Sequence, residues 1–243
     1  MTTVTLGAQE RSLLPGMPLH AITSVHGEAG LRERLAVEIA VFPPGERARI
    51  QAALALAARL HAADRRQREP YVNHLLRVTI RIISHYRVRD SDVACAALLH
   101  DAVEDHADDL APGGGQHDAL AMLAEEFGDR VSGLVAAVTN PEYDAGRDEN
   151  EQYREHVVAG LEGNAWARVI KASDLTDNAV GLFHTTGPKI GKLAGKYGPL
   201  LPAVRGLILR ADTPLDADVK DRIAAQLGNA EERLAAIGRR APG

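Results

Sequence analysis

The 243-residue chain reads as all-α. Period-two alternation is nearly absent, and apolar residues instead recur at spacings of three and four along most of the length. Pro, Gly, Asp and Asn fall between those periodic segments, where helices start and stop. Val78 to Ile83 is β-branched, but it sits inside a segment with helical spacing. The expectation is about eight to ten helices in one bundle.

Taken in order, residues 1–28 hold Gly7, Pro15, Gly16, Pro18 and Gly27 with little periodicity, and read as an irregular lead-in. Residues 29–243 read as a single domain. Leu31, Leu35 and Ile39 recur at spacing four until Pro43-Pro44. Glu46 to Arg65 carries Ile50, Leu54, Leu56 and Leu60 on one broad apolar face. Pro70 is placed to open a helix running to His85. Asp90, Ser91 or Asp92 can cap the next helix, which runs through His100. Residues 106–117, with Pro112 and Gly113-Gly114-Gly115, read as a mobile loop. Asp118 can cap a helix ending near Phe127-Gly128, and another spans Asp129 to Val138 before Asn140-Pro141. After the polar loop 142–149, helices are expected over 150–160, 163–184 and 188–211. A last helix runs from Asp216 to Ile237 behind Pro214.

Lys plus Arg is 28 and Asp plus Glu is 33, a formal charge of −5. That balance argues against a general nucleic-acid binder. An anionic small molecule remains open, since such a site needs only local charges. The single Cys95 excludes an intramolecular disulfide and, within Val93 to Leu99, reads as a small buried hydrophobe. No basic n-region precedes an apolar stretch, and no segment approaches the ~20 apolar residues of a membrane span. A cytoplasmic protein without membrane partners is expected.

The densest chemistry lies in Leu98-Leu99-His100-Asp101-Ala102-Val103-Glu104-Asp105. On a helix, positions three and four apart share a face. His100, Asp101, Glu104 and Asp105 can then border one cleft. Carboxylates converging beside a His repel one another unless a cation lies between them, and that donor set suits Mn²⁺, Fe²⁺ or Zn²⁺. The alternative for these residues alone is a helix C-terminus with solvated acids. His74 in Glu69 to Val78, taken alone, reads as structural. Asp174 in Lys171 to Asn178, taken alone, reads as an exposed acid.

The three elements in this order resemble the HD superfamily of metal-dependent phosphohydrolases. Within it they are most similar to the RelA/SpoT-like guanosine-3′,5′-bis(diphosphate) 3′-pyrophosphohydrolases. A basic stretch with Arg66 precedes Pro70-Tyr71-Val72-Asn73-His74, and Ala97 to Asp105 matches Ala-Leu-Leu-His-Asp-x-x-Glu-Asp. Phe127-Gly128, Val131, Leu134-Val135 and Val138-Thr139 match a later motif, and Lys171, Asp174 and Asn178 match the last. The resemblance covers residues 45–205 and implies an HD-domain helical bundle. It implies His74, His100, Asp101 and Asp174 as metal ligands, usually for Mn²⁺. It implies Glu104 and Asp105 as the residues that position and activate water. Arg66 would stack on or pair with the guanine nucleotide, Lys171 would neutralise phosphate, and Asn178 would hold the nucleotide or the water.

Four positions depart from the family pattern. Leu75 stands where Pro is common, and Leu175 where Arg or Lys is usual. The basic stretch is one residue short, so that Arg68 can replace Arg66. His106 replaces a small polar residue and reads as a loop His. The resemblance implies a stand-alone alarmone hydrolase, since the chain ends where the hydrolase region ends. Two alternatives stay open: an HD phosphohydrolase acting on another nucleotide, such as an adenine alarmone or the 2′-phosphate of NADPH, or a non-catalytic HD regulatory or binding protein. Lys189, Lys192, Lys196 and Tyr197 share a helix face that reads first as a solvated basic face. His61, His85, His156 and His184 read as structural or exposed, and Arg239-Arg240 as a frayed tail.

Overall fold

The computed structural model describes residues 6–66, 69–140, 143–181 and 188–238. Arg68, Pro141, Glu142, His184, Arg239 and Arg240, which enter the sequence reading, lie outside them. The protein is all-α as expected. The described residues form thirteen α-helices and one two-stranded hairpin, cut more finely than the eight to ten anticipated. None of these helices is long and apolar enough to cross a membrane. The chain divides into two compact units, residues 1–135 and 136–243.

In the first unit the expected irregular lead-in is helical. Helix α1 (Ala8–Leu13) is started by Glu10, whose carboxylate accepts the Gly7 N–H at 2.7 Å. A 3₁₀ turn (Leu14–Gly16) leads to α2 (Leu19–Ile39). The Pro and Gly residues that hid the periodicity sit where helices tolerate them. Pro18 is the N-cap of α2, and Gly27, at φ +60°, kinks the helix in a conformation costly for any other residue. Buried Leu14, Leu19 and Ile22 reward the packing.

Helix α3 (Pro44–Leu60) uses Pro44 in its first turn, so the same residue that ends one segment opens the next. A 3₁₀ turn (His61–Ala63) follows, then β1 (Arg65–Arg66) paired antiparallel with β2 (Glu69–Pro70). Pro70 therefore ends a hairpin instead of starting a helix. Helix α4 (Val72–Ile80) begins two residues later and continues into a π-helical turn (Arg81–His85). Every residue of α4 is buried, including Asn73, His74, Arg77 and Thr79. Glu69 satisfies two of these polar groups. Its carboxylate accepts from Arg77 at 3.0 and 2.9 Å and from Asn73 at 3.0 Å. The hairpin is thereby pinned to α4.

Asp90 caps α5 (Ser91–Leu99), accepting from the Asp92 and Val93 N–H groups at 3.1 and 3.3 Å. His100 and Asp101 form a turn, and α6 (Ala102–Leu110) begins beyond it. The helix expected to run through His100 thus ends one residue earlier. The mobile loop expected over 106–117 shrinks to residues 111–114, because α6 extends to Leu110 and α7 (Gly115–Phe127) starts at Gly115. Gly128, at φ +90°, ends α7 and leads into α8 (Asp129–Ala136). Helix α2 packs on α4, α3 on α5, α4 on α5 and α6 on α7. Cys95 is fully buried in this core, as expected, and burial pushes its thiol up to about 12.

The second unit holds α9 (Glu149–Gly163), α10 (Ala165–Gly181), α11 (Pro188–Tyr197), α12 (Leu201–Ile208) and α13 (Ala217–Gly238). The segment expected as one helix over 188–211 is two, because Gly198 to Leu200 turn between α11 and α12. Helix α10 packs on α9, α12 and α13. Asn164 caps α10, accepting from Trp166 and Ala167 at 3.1 Å each. The guanidinium of Arg168, buried at 1% exposure, donates to the Leu161 carbonyl at 2.7 Å and to Asp212 at 2.8 Å.

Candidate metal centre

The end of α5 and the start of α4 bring three predicted residues together. His74 lies in the first turn of α4, and His100 and Asp101 form the turn between α5 and α6. Asp101 Oδ2 stands 3.1 Å from His100 Nε2 and 3.7 Å from His74 Nε2. The two rings are 5.3 Å apart. Both His are buried, while the Asp101 side chain keeps 18% exposure. One donor atom from each residue lies within 4.8 Å of the others.

This donor set fits a divalent cation. The Ala97 carbonyl accepts from His100 Nδ1 at 2.8 Å. A carbonyl cannot donate, so Nδ1 carries a proton, and Nε2 is the ring nitrogen turned toward the carboxylate oxygen. An imidazole nitrogen and a carboxylate oxygen thus face one point, and these are donor types that a divalent cation takes. Tyr71 completes the support by donating to Asp101 Oδ2 at 2.7 Å. Burial and the Asp101 charge raise the Tyr71 phenol far above its ordinary value, so it stays a donor. Sequence reasoning had Tyr71 as a motif letter without a role, because nothing local ties residue 71 to residue 101.

Glu104 and Asp105 sit in the first turn of α6, both exposed. Their shared surface arises from the start of a new helix instead of one continuous helix. Loss of hydration, then the charges of Asp101 and Glu104, push the Asp105 carboxyl up to about 6. A cation beside Asp101 acts in the opposite direction. Arg66, on β1, places its guanidinium 5.6 Å over the Tyr71 ring. This position follows from the hairpin, in which Arg66 pairs with Glu69.

A second group of possible ligands lies in the same unit. Asp64 Oδ2 meets His61 Nδ1 at 2.8 Å and His106 Nε2 at 2.7 Å, and His106 Nδ1 meets Asp109 at 2.8 Å. His106, expected in a loop, interrupts the regular geometry of α6 at φ −136° and ψ 32°. The hydrogen bond from His106 holds the Asp64 carboxyl below its ordinary value. Burial opposes ionisation of His106, but Asp109 and Asp64 outweigh it and raise its pKa. The ring of His61 stacks on Tyr71 at 4.6 Å.

In the second unit Lys171, Asp174 and Asn178 form one group on α10. Lys171 Nζ is 3.0 Å from Asp174 Oδ2, and Asn178 donates to Asp174 Oδ1 at 2.7 Å. Asp174 is 4% exposed, so the reading of an exposed acid fails. Tyr153, which the sequence reading left aside, lies under two cations, Lys171 at 5.6 Å and Lys196 at 4.4 Å. Leu175, which stands where the family pattern has Arg or Lys, is a core residue at 1% exposure. His156 Nε2 pairs with the Thr139 carbonyl at 2.8 Å, a structural role as expected.

Comparison with known proteins gives consistent relatives. Residues 53–159 match the family model described as HD domain. A guanosine-3′,5′-bis(diphosphate) 3′-pyrophosphohydrolase of Drosophila melanogaster, MESH1, is 33% identical over 135 residues, 54% of this chain and 68% of that protein. A guanosine-3′,5′-bis(diphosphate) 3′-pyrophosphohydrolase of Aquifex aeolicus is 29% identical over 180 residues, which span 72% of this chain but only 24% of the longer relative. A solved structure, described as a metazoan ortholog of SpoT that hydrolyzes ppGpp, aligns with a TM-score of 0.53 at 23% identity. It covers 81% of this chain and 97% of the other, and at that identity it speaks for the fold.

Proposed function

The chain belongs to the HD-domain family of guanosine-3′,5′-bis(diphosphate) 3′-pyrophosphohydrolases, and from that premise we infer that it hydrolyses (p)ppGpp to GDP or GTP and pyrophosphate. The observation that carries the inference is the convergence of His74, His100 and Asp101, with Tyr71 holding Asp101 in place.

His74, His100 and Asp101 would hold the divalent cation, with Asp174 as the fourth ligand that the family pattern assigns. Mn²⁺ is our choice of metal because the resemblance to the family implies it, and the donor set admits it alongside Fe²⁺ and Zn²⁺. When bound, such a cation lowers the pKa of water and polarises a phosphoryl oxygen. The chain's own residues do the rest. Glu104 and Asp105 orient the water and take its proton as the new oxygen–phosphorus bond forms. The bond from that phosphorus to the 3′-oxygen breaks, and the 3′-oxygen gains a proton. Arg66 and the face of Tyr71 receive the nucleotide, Lys171 offsets phosphate charge, and Asn178 holds the nucleotide or the water. Residues 29–243 are proposed to act as one hydrolase domain. Its substrate is a free guanine nucleotide, recognised without nucleic acid or membrane, and the cytoplasm is the expected location.

The test is hydrolysis of ppGpp, ppApp and NADPH by the purified protein with Mn²⁺, with and without EDTA, following pyrophosphate and phosphate separately. Metal-dependent release of pyrophosphate from ppGpp is expected, and the ppApp rate sets base selectivity. Turnover of NADPH alone, or of none of the three by metal-loaded protein, overturns the reading.

A further inference from the structure

We propose that His61, Asp64 and His106 form a second divalent-cation site, of the zinc type, separate from the family centre. None of the three takes part in the mechanism above. Two imidazoles and a carboxylate converge, with one donor atom of each within 4.8 Å of the others. A single oxygen, Asp64 Oδ2, faces both rings at 2.8 and 2.7 Å. Two imidazoles with one carboxylate, leaving a position for water, is a recurrent zinc-binding set.

Further observations favour a cation over a closed hydrogen-bond cluster. His106 is oriented from behind by the Asp109 carboxylate at 2.8 Å, the carboxylate–histidine pairing that supports metal ligands. The break in α6 at His106 accompanies a contact that reaches a residue 42 positions earlier in the chain. His61 is 2% exposed and turns Nδ1 to the carboxylate, so its donor atom is held in a protein-lined position. Asp64 keeps 34% and His106 13% side-chain exposure, so the site has an entry path.

Binding is balanced by proton loss. His106 gives up its Nε2 hydrogen to solvent and keeps Nδ1–H on Asp109, while the single hydrogen of His61 moves from Nδ1 to Nε2, so that His61 Nδ1, His106 Nε2 and the carboxylate take the cation. The site would tie the 3₁₀ turn at His61 to α6, the helix that carries Glu104 and Asp105. Because His61 stacks on Tyr71 and Tyr71 holds Asp101, the clamp also braces the family centre.

The experiment is equilibrium dialysis of the full chain against Co²⁺ near neutral pH, with bound metal counted by mass spectrometry. Two Co²⁺ per chain are expected, one after His106→Gln, one after Asp101→Ala and none in the double variant. Glutamine can keep a hydrogen bond to Asp64 while being a poor ligand. Asp64→Asn is measured alongside, so that unfolding of one variant leaves the other to decide. One Co²⁺ in the wild type, or an unchanged count in the folded His106→Gln and Asp64→Asn proteins, overturns the proposal. These counts do not depend on which nucleotide is hydrolysed.

Discussion

The Tyr71 hydroxyl donates to Asp101 Oδ2 at 2.7 Å, the same oxygen that lies 3.1 Å from His100 Nε2. A phenol thus fixes the carboxylate before any cation arrives, and its ring is fixed in turn by stacking on His61. Tyr71→Phe keeps the ring and removes the hydroxyl. Affinity for Mn²⁺ is expected to fall about 10- to 100-fold, with the fold retained. Metal titration with a competing chelator checks this, and unchanged affinity removes Tyr71 from the support of the site.

Glu104 is assigned to the water and not to the cation. Glu104→Gln should keep bound metal at the wild-type level and lose about 100-fold or more in kcat. Native turnover in that variant would rule out the assignment.

Arg66 lies 5.6 Å over the Tyr71 ring on a hairpin beside the ligands. Arg66→Ala should raise KM for ppGpp by roughly tenfold and lower kcat by less. The opposite pattern in steady-state kinetics would move Arg66 from recognition to the chemical step.

Asp90 caps α5 and meets Arg130 at 2.6 Å. Burial works to raise its pKa, but Arg130 and the Val93 and Asp92 N–H groups outweigh it, and the carboxyl stays below its ordinary value. A depressed folded-state pKa adds stability that is complete above the unfolded value and lost as pH falls through the folded one. Asp90→Asn keeps a cap acceptor and removes the charge. Urea unfolding at pH 7 should show it about 1 kcal/mol less stable than wild type. The gap should close as pH falls below the ordinary carboxylate range. A gap independent of pH would mean that the charge contributes nothing.

Leu175 is buried in the second unit at 1% exposure. Restoring the basic residue usual at this position would bury a charge without a partner. Leu175→Arg is expected to destabilise the protein by about 3 kcal/mol or more. A melting temperature equal to wild type, with faster turnover, would show that position 175 reaches the substrate.

Much was legible in the sequence because it is written locally. Helical spacing identified the class, Asp90 announced its cap, and the order of His74, His100-Asp101 and Asp174 pointed to a family and to a donor set. The misreadings are equally physical. Pro18, Gly27 and Pro44 looked like breakers, yet each stands where a helix end or kink accepts it. His100 and Asp101 looked helical, yet they turn the chain between α5 and α6.

By itself, then, the sequence determined the all-α class and the residue types able to hold a cation and handle a phosphate. Those depend on the spacing of side chains along a few turns. Only the tertiary structure decided that Tyr71 holds Asp101, that Glu69 pins the hairpin to α4, that Leu175 is core, and that His61, Asp64 and His106 meet. These are contacts between residues brought together by helix packing, and their partners are chosen by the burial of polar groups that must be satisfied, which no local spacing encodes.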